Sequence, residues 1–138
     1  MEPTFGNLLI ELHIEGIPRP KARPRVGRSG RFYTPRDVDG WKEGIEVLAL
    51  AEFGTEPYEK AVGIEMYFQF PRPKSRSKYS LMVTRPDGDN LEKAVLDALD
   101  GIVYLDDKQV IYCSWGKTYG EVGHARIRVF QALGLAAQ

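Results

Sequence analysis

The chain is poor in the residues from which most catalytic centres are built. Its 138 residues include one cysteine, Cys113, and two histidines, His13 and His124. A single thiol allows neither an internal disulfide nor a cysteine-rich zinc site, and Cys113 falls in an apolar, strand-like run that reads as the home of a buried structural thiol. His13 alternates with Leu12 and Ile14 on the polar side of a predicted strand. His124 lies in a glycine-bounded turn, so neither histidine has a serine or cysteine nucleophile to serve. No glycine-rich loop of the P-loop or dinucleotide-binding pattern occurs. No apolar run approaches the roughly 20 residues of a membrane span, and the opening MEPTFGNLL lacks a basic stretch followed by a long apolar one, so a cytoplasmic protein with no membrane partner is expected. With these chemistries set aside, carboxylates and lysines are the candidates that remain.

They are concentrated in one stretch. Residues 85–108, RPDGDNLEKAVLDALDGIVYLDDK, place Asp87 and Asp89 at i and i+2, a lone lysine at 93 and a second acid pair at Asp106 and Asp107. A hard divalent cation needs oxygen ligands from at least two backbone positions, and Mg²⁺ usually takes one or two carboxylates and keeps waters for a phosphate. After the turn-forming Asp87-Gly88, the spacing of Leu91, Ala94, Val95, Ala98 and Leu99 predicts a helix over 90–100 that Gly101 stops. Lys93, Asp97 and Asp100 then lie opposite its apolar stripe. Ile102-Val103-Tyr104-Leu105 reads as a short buried strand delivering the second acid pair. Bland readings stand beside the functional one: acids are favoured at any helix N-terminus, Lys93 can pair with Asp97 at i, i+4, and Asp106-Asp107-Lys108 can be a polar turn. An EF-hand is excluded, because a loop beginning at Asp87 has Ala98 where the twelfth-position glutamate belongs.

The formal net charge is zero, but the charge is segregated. Residues 17–36 contain Arg19, Lys21, Arg23, Arg25, Arg28, Arg31 and Arg36 without an acid, and 71–79 adds Arg72, Lys74, Arg76 and Lys78, so two segments hold eleven of the nineteen basic residues. Residues 87–107 hold seven acids against Lys93 alone. A basic rim around an acidic, cation-binding centre suits a phosphodiester substrate: the cations contact backbone phosphates and the metal addresses the one to be cut. Pro18, Pro20 and Pro24 keep the first segment extended and non-helical. Phe70 and Tyr79 flank the second; Tyr79 suits base stacking, whereas Phe70 fits the core.

The remainder reads as one α+β domain over 1–138, a mixed sheet with two main helices. Leu8 to Ile14 and Val62 to Phe70 alternate as half-buried strands. Thr34-Pro35-Arg36-Asp37 opens a helix carrying Val38, Trp41, Ile45, Leu48 and Ala49, which Gly54 ends. Runs at 109–115 and 125–131 are strands joined through a turn region over 116–123, and 132–138 is expected to fray.

Three ordered motifs resemble the RusA-type Holliday-junction resolvases across nearly the whole chain: IPRPKARPRVGRSGRFYTP, PDGDNLEKAVLDALDG and VYLDDKQV. The resemblance implies a small, homodimeric, Mg²⁺-dependent endonuclease, with Mn²⁺ as a substitute ion, that cuts four-way and other branched DNA from two symmetric sites. It makes Asp87, Asp89 and Asp107 the metal-binding carboxylates and Lys93 the essential basic residue, with Asp106 adjacent. The family often has an aliphatic residue between its first two aspartates, where this chain has Gly88. DNA contacts are expected from Lys21, Arg23, Arg25, Arg72, Lys74, Arg76 and Lys78, and Tyr67 and Trp115 are candidate dimer surfaces. Two other readings fit the residues alone: a non-catalytic branched-DNA-binding module, which needs the basic segments but not the acids, and an Mg²⁺-dependent hydrolase of small nucleotides.

Overall fold

A computed structural model describes residues 1–19, 25–26, 32–33, 36–54 and 56–136. The elements in chain order are β1 (Pro3–Glu15), β2 (Arg25–Val26), β3 (Phe32–Tyr33), α1 (Arg36–Phe53), β4 (Val62–Pro71), α2 (Gly88–Leu99), a 3₁₀ turn (Asp107–Gln109), β5 (Val110–Gly120) and β6 (His124–Leu135). Four strands form one sheet in the order β1-β6-β4-β5, while β2 and β3 make a separate two-residue ladder. β6 is antiparallel to both β1 and β4, and β5 is parallel to β4. Hence β1, β4 and β5 run the same way, and their carboxyl ends share one end of the sheet. Both long basic segments continue from that end, 17–36 after β1 and 71–79 after β4.

Alternation decides which face is covered. Ile10, Leu12 and Ile14 of β1, Ile64, Met66, Phe68 and Phe70 of β4, and Ala125, Ile127 and Val129 of β6 are buried. They meet Trp41, Ile45 and Ala49 of α1 and Leu91, Ala94, Val95, Ala98 and Leu99 of α2 in one core. The intervening residues point to the other face, where Arg128 pairs with Glu11 at 2.8 Å and Glu65 at 3.6 Å and Arg126 lies over the Tyr67 ring. This is the expected α+β domain with a mixed sheet and two main helices.

Several boundaries differ from the sequence reading. The run 102–105 is not a strand. Gly101 takes φ +79°, the amides of Ile102 and Val103 bond back to the carbonyl of Leu99, and Tyr104 makes only single bridges to Tyr58 and Asp100. Ile102, Val103 and Tyr104 plug the core beneath the end of α2, burial without a ladder, while Leu105 is exposed. Strands β5 and β6 run through most of 116–123, leaving a turn of three residues. Gly116 lies beneath the Tyr67 ring and Gly120 against the Gln69 side chain, so these glycines answer to side chains on β4 rather than to a turn. His124 is accordingly the first residue of β6, opposite Glu15. Residues 132–135, expected to fray, belong to β6: Gly134 pairs with Thr4 and Leu135 with Pro3, which also starts β1 five residues before Leu8. Thr34 and Pro35, the expected helix opening, lie outside the described residues.

Candidate active site

Helix α2 begins at Gly88, two residues earlier than its apolar stripe requires, with Asp87 as N-cap residue. The Asp87 carboxylate makes no capping hydrogen bond, so the first-turn amides do not occupy it, and the nearby helix N-terminus favours an anionic group there. Asp87 and Asp89 are both exposed, as is Lys93 one turn on, on the side opposite buried Leu91, Ala94 and Val95. Asp97, the alternative partner for Lys93, is half-buried.

The second acid pair divides its labour. Asp106 caps the 3₁₀ turn: its carboxylate accepts from the Lys108 amide at 2.9 Å and forms a reciprocal capping box with Gln109. Asp107 is the first residue of that turn. It stands with Asp97 and Asp100 in the field of the Tyr104 hydroxyl, whose pKa is pushed up chiefly by burial and secondarily by Asp107, Asp100 and Asp97. That hydroxyl donates to the carbonyl of Leu96 at 2.9 Å, and Leu96 lies seven residues beyond Asp89, roughly 10 Å along a helix axis. Asp87 and Asp89 are thus associated with one end of α2 and Asp107 with the other. Among the described residues no group of three or more His, Cys, Asp or Glu side chains converges well enough to hold a metal ion. The chain carries these acids at two places along α2, the pair at its start and Asp107 near Tyr104. It offers the hard oxygen donors of Asp87 and Asp89, and two carboxylates are within the usual protein complement for Mg²⁺.

Two site residues have no periodic signature in the sequence. Gln109 locks the acid-bearing turn in place: its Oε1 accepts from the amides of Leu105 at 2.8 Å and Asp106 at 3.0 Å, while its Nε2 donates to the carbonyls of Tyr58 and Lys60, both at 2.8 Å. Lys117 of β5 donates to the carbonyls of Thr84 at 2.6 Å and Pro86 at 2.9 Å, just ahead of Asp87. The clue to Gln109 is its place in DDKQV. Nothing local marks Lys117.

The cationic rim is partly described. Arg72, Lys74, Arg76 and Lys78 are all exposed. The Arg72 amide bonds to the carbonyl of Gly120 at 2.9 Å, and its guanidinium donates to the carbonyl of Arg76, curling the segment over the end of the sheet. Lys78 lies 5.1 Å from the Tyr79 ring centre, and Tyr79 is 81% exposed. Phe70 is core. Lys21 and Arg23 lie outside the described residues; Arg25 begins β2. Arg85, between the rim and Asp87, is exposed and carries no distinguishing pattern in the sequence.

The thiol and the histidines keep to structural surroundings. Burial, with Glu92 as hydrogen-bond partner, pushes the Cys113 thiol up to about 12, the reverse of an activated nucleophile. His13 bridges Glu11 at 3.0 Å and His124 at 3.3 Å on the helix-free face. Its hydrogen bond, with Arg128 nearby, holds the Glu11 carboxyl below its ordinary range.

The family model for Endodeoxyribonuclease RusA matches residues 15–130, spanning the basic segments and both acid pairs. Among curated proteins, the chain is 28% identical over 135 residues to the uncharacterized protein YqaN of Bacillus subtilis (strain 168), a match covering 87% of this chain and 94% of that protein. Among the described residues no helix is long and apolar enough to cross a membrane.

Proposed function

The chain belongs to the RusA endodeoxyribonuclease family, and on that premise we propose that it is an Mg²⁺-dependent, structure-selective endonuclease that resolves four-way DNA junctions by paired, symmetric cuts. The observation that carries this reading is the meeting of opposite charges at one end of the sheet. Asp87 and Asp89 sit there because Lys117, near the end of β5, holds the carbonyls of Thr84 and Pro86. The basic segments after β1 and β4 leave from the same end. DNA drawn in by the cations is thereby set against two exposed carboxylates.

Asp87 and Asp89 would hold Mg²⁺; when bound, the ion supplies Lewis acidity to a phosphoryl oxygen and acidifies a water. The chain's own side chains orient and neutralise. Lys93, one turn from Asp89 on the same exposed side, offsets charge developing on the phosphate. Arg72, Lys74, Arg76 and Lys78 contact flanking phosphates, with Tyr79 free to stack on a base.

Two symmetric cuts need two such centres, and a two-fold homodimer supplies them. Such a dimer also allows composite centres, with Asp87 and Asp89 from one copy and Asp107 from the other. Complementation tests this. Asp89→Asn and Asp107→Asn should each be inactive on a synthetic junction with Mg²⁺, and mixed dimers should regain nicking, because one of the two composite centres then has every carboxylate. Continued inactivity of verified mixed dimers would confine each centre to one chain, and a strict monomer on junction DNA would contradict paired cutting.

A further inference from the structure

On the helix-facing side of β5, alternate residues Trp115, Lys117 and Tyr119 all end on the segment that carries the first acid pair. The Tyr119 hydroxyl is 2.7 Å from Thr84 Oγ1. Lys117 Nζ holds the carbonyls of Thr84 and Pro86. The Trp115 indole lies against Gly88: a Cβ built there would sit 2.1–2.2 Å from three of its ring carbons. The anchored positions are 84, 86 and 88, and the positions between and just beyond them, Arg85, Asp87 and Asp89, are exposed. β5 thus holds the inner side of this bend and of the first turn of α2, and the three charged residues stand on the outer side.

We propose that Trp115, Lys117 and Tyr119 are positioning residues that fix the Asp87 and Asp89 carboxylates, and that Gly88 and Trp115 form a matched pair in which the indole fills the space an aliphatic side chain at 88 would take. The inference rests on the reading that Asp87 and Asp89 are the cation-binding carboxylates. It accounts for the glycine between them: a side chain at 88 would meet the indole arriving from β5. The grip acts on placement alone, since all three residues reach the carboxylates through backbone, a neighbouring hydroxyl or the Cα of Gly88. DNA binding, assigned to the basic segments, is separate from it.

The test is Mn²⁺ binding, read by the electron paramagnetic resonance of the free ion, together with cleavage of a four-way junction. Gly88→Ala should weaken Mn²⁺ binding about tenfold, at the low end for groups that orient metal ligands. In a Trp115→Ala background, where the indole is gone, the same change should add less than about twofold. Tyr119→Phe removes one hydroxyl from a half-buried ring and leaves the fold intact. It should lower kcat about fivefold and leave KM for the junction unchanged, and Lys117→Arg should retain more activity than Lys117→Met. If Asp89→Asn abolishes Mn²⁺ binding while Gly88→Ala and Tyr119→Phe behave as wild type, or if the Gly88 and Trp115 effects simply add, the positioning proposal is overturned alone. If Asp89→Asn binds Mn²⁺ as wild type does, the carboxylate reading falls and this proposal with it.

Discussion

Replacing Gln109 with alanine removes a side chain whose amide has all four hydrogen-bonding positions filled by backbone. Each such bond contributes about 1 kcal/mol net. Three of the four lie in exposed surroundings, where water replaces the lost partner, and only the bond to the Tyr58 carbonyl is part-buried. The expected loss is therefore about 2–3 kcal/mol, below the simple sum, corresponding to a fall in Tm of roughly 6–10 °C for a domain of this size. Differential scanning calorimetry measures it directly, with urea unfolding as a second readout. Gln109→Glu should be at least as damaging at neutral pH, because it keeps both acceptors but turns a carboxylate oxygen toward the carbonyls of Tyr58 and Lys60 and adds charge beside Asp106 and Asp107. Cleavage should fall in both variants, since the turn carrying Asp107 loses its tie to the segment before β4. If Gln109→Ala unfolds within about 0.5 kcal/mol of wild type, the reasoning that this amide anchors the acid-bearing turn is wrong.

Neutralising Arg72, Lys74, Arg76 and Lys78 together should weaken binding to every DNA structure alike and flatten the salt dependence by roughly 0.9 in log–log slope per lost phosphate contact; an unchanged slope would mean that the segment does not touch DNA. The Cys113 thiol, pushed up to about 12 from 9.0, should react with iodoacetamide at pH 8 roughly a thousandfold more slowly in the folded protein than in urea. Since the folded state holds the thiol proton more tightly, this group's stabilising contribution is complete below the unfolded thiol's pKa and is lost as pH rises from there towards 12.

Much of this architecture is legible in the sequence because burial imposes a period. The stripe Leu91, Ala94, Val95, Ala98 and Leu99 is buried as its spacing requires, as is the alternation from Ile64 to Phe70. Misreadings occur where burial lacks a ladder or a ladder lacks burial. Ile102 to Tyr104 is apolar because it closes the core under α2, whereas 132–135 pairs with β1 although Leu133 and Leu135 are exposed. The acids of the site are visible as residue types, but their grouping is not. Asp106 and Asp107 are adjacent, yet one caps a 3₁₀ turn and the other adds its charge to the field at the Tyr104 hydroxyl. Gln109 and Lys117 act on carbonyls 51 and 31 residues away, a relation that no local pattern encodes. Trp115, a surface candidate from its sequence, is 42% exposed and also packs on Gly88, a contact that only the fold discloses.

The central claim, that exposed carboxylates at the start of α2 cut DNA held by the basic segments, is tested most directly by Asp89→Asn on a synthetic four-way junction with Mg²⁺. The substitution keeps the side chain's size and removes a ligand charge. Cleavage should be lost while junction binding persists or tightens, because the repulsion between an acid and the phosphates has fallen. Undiminished cleavage by Asp89→Asn, or loss of binding in parallel with cleavage, would contradict it.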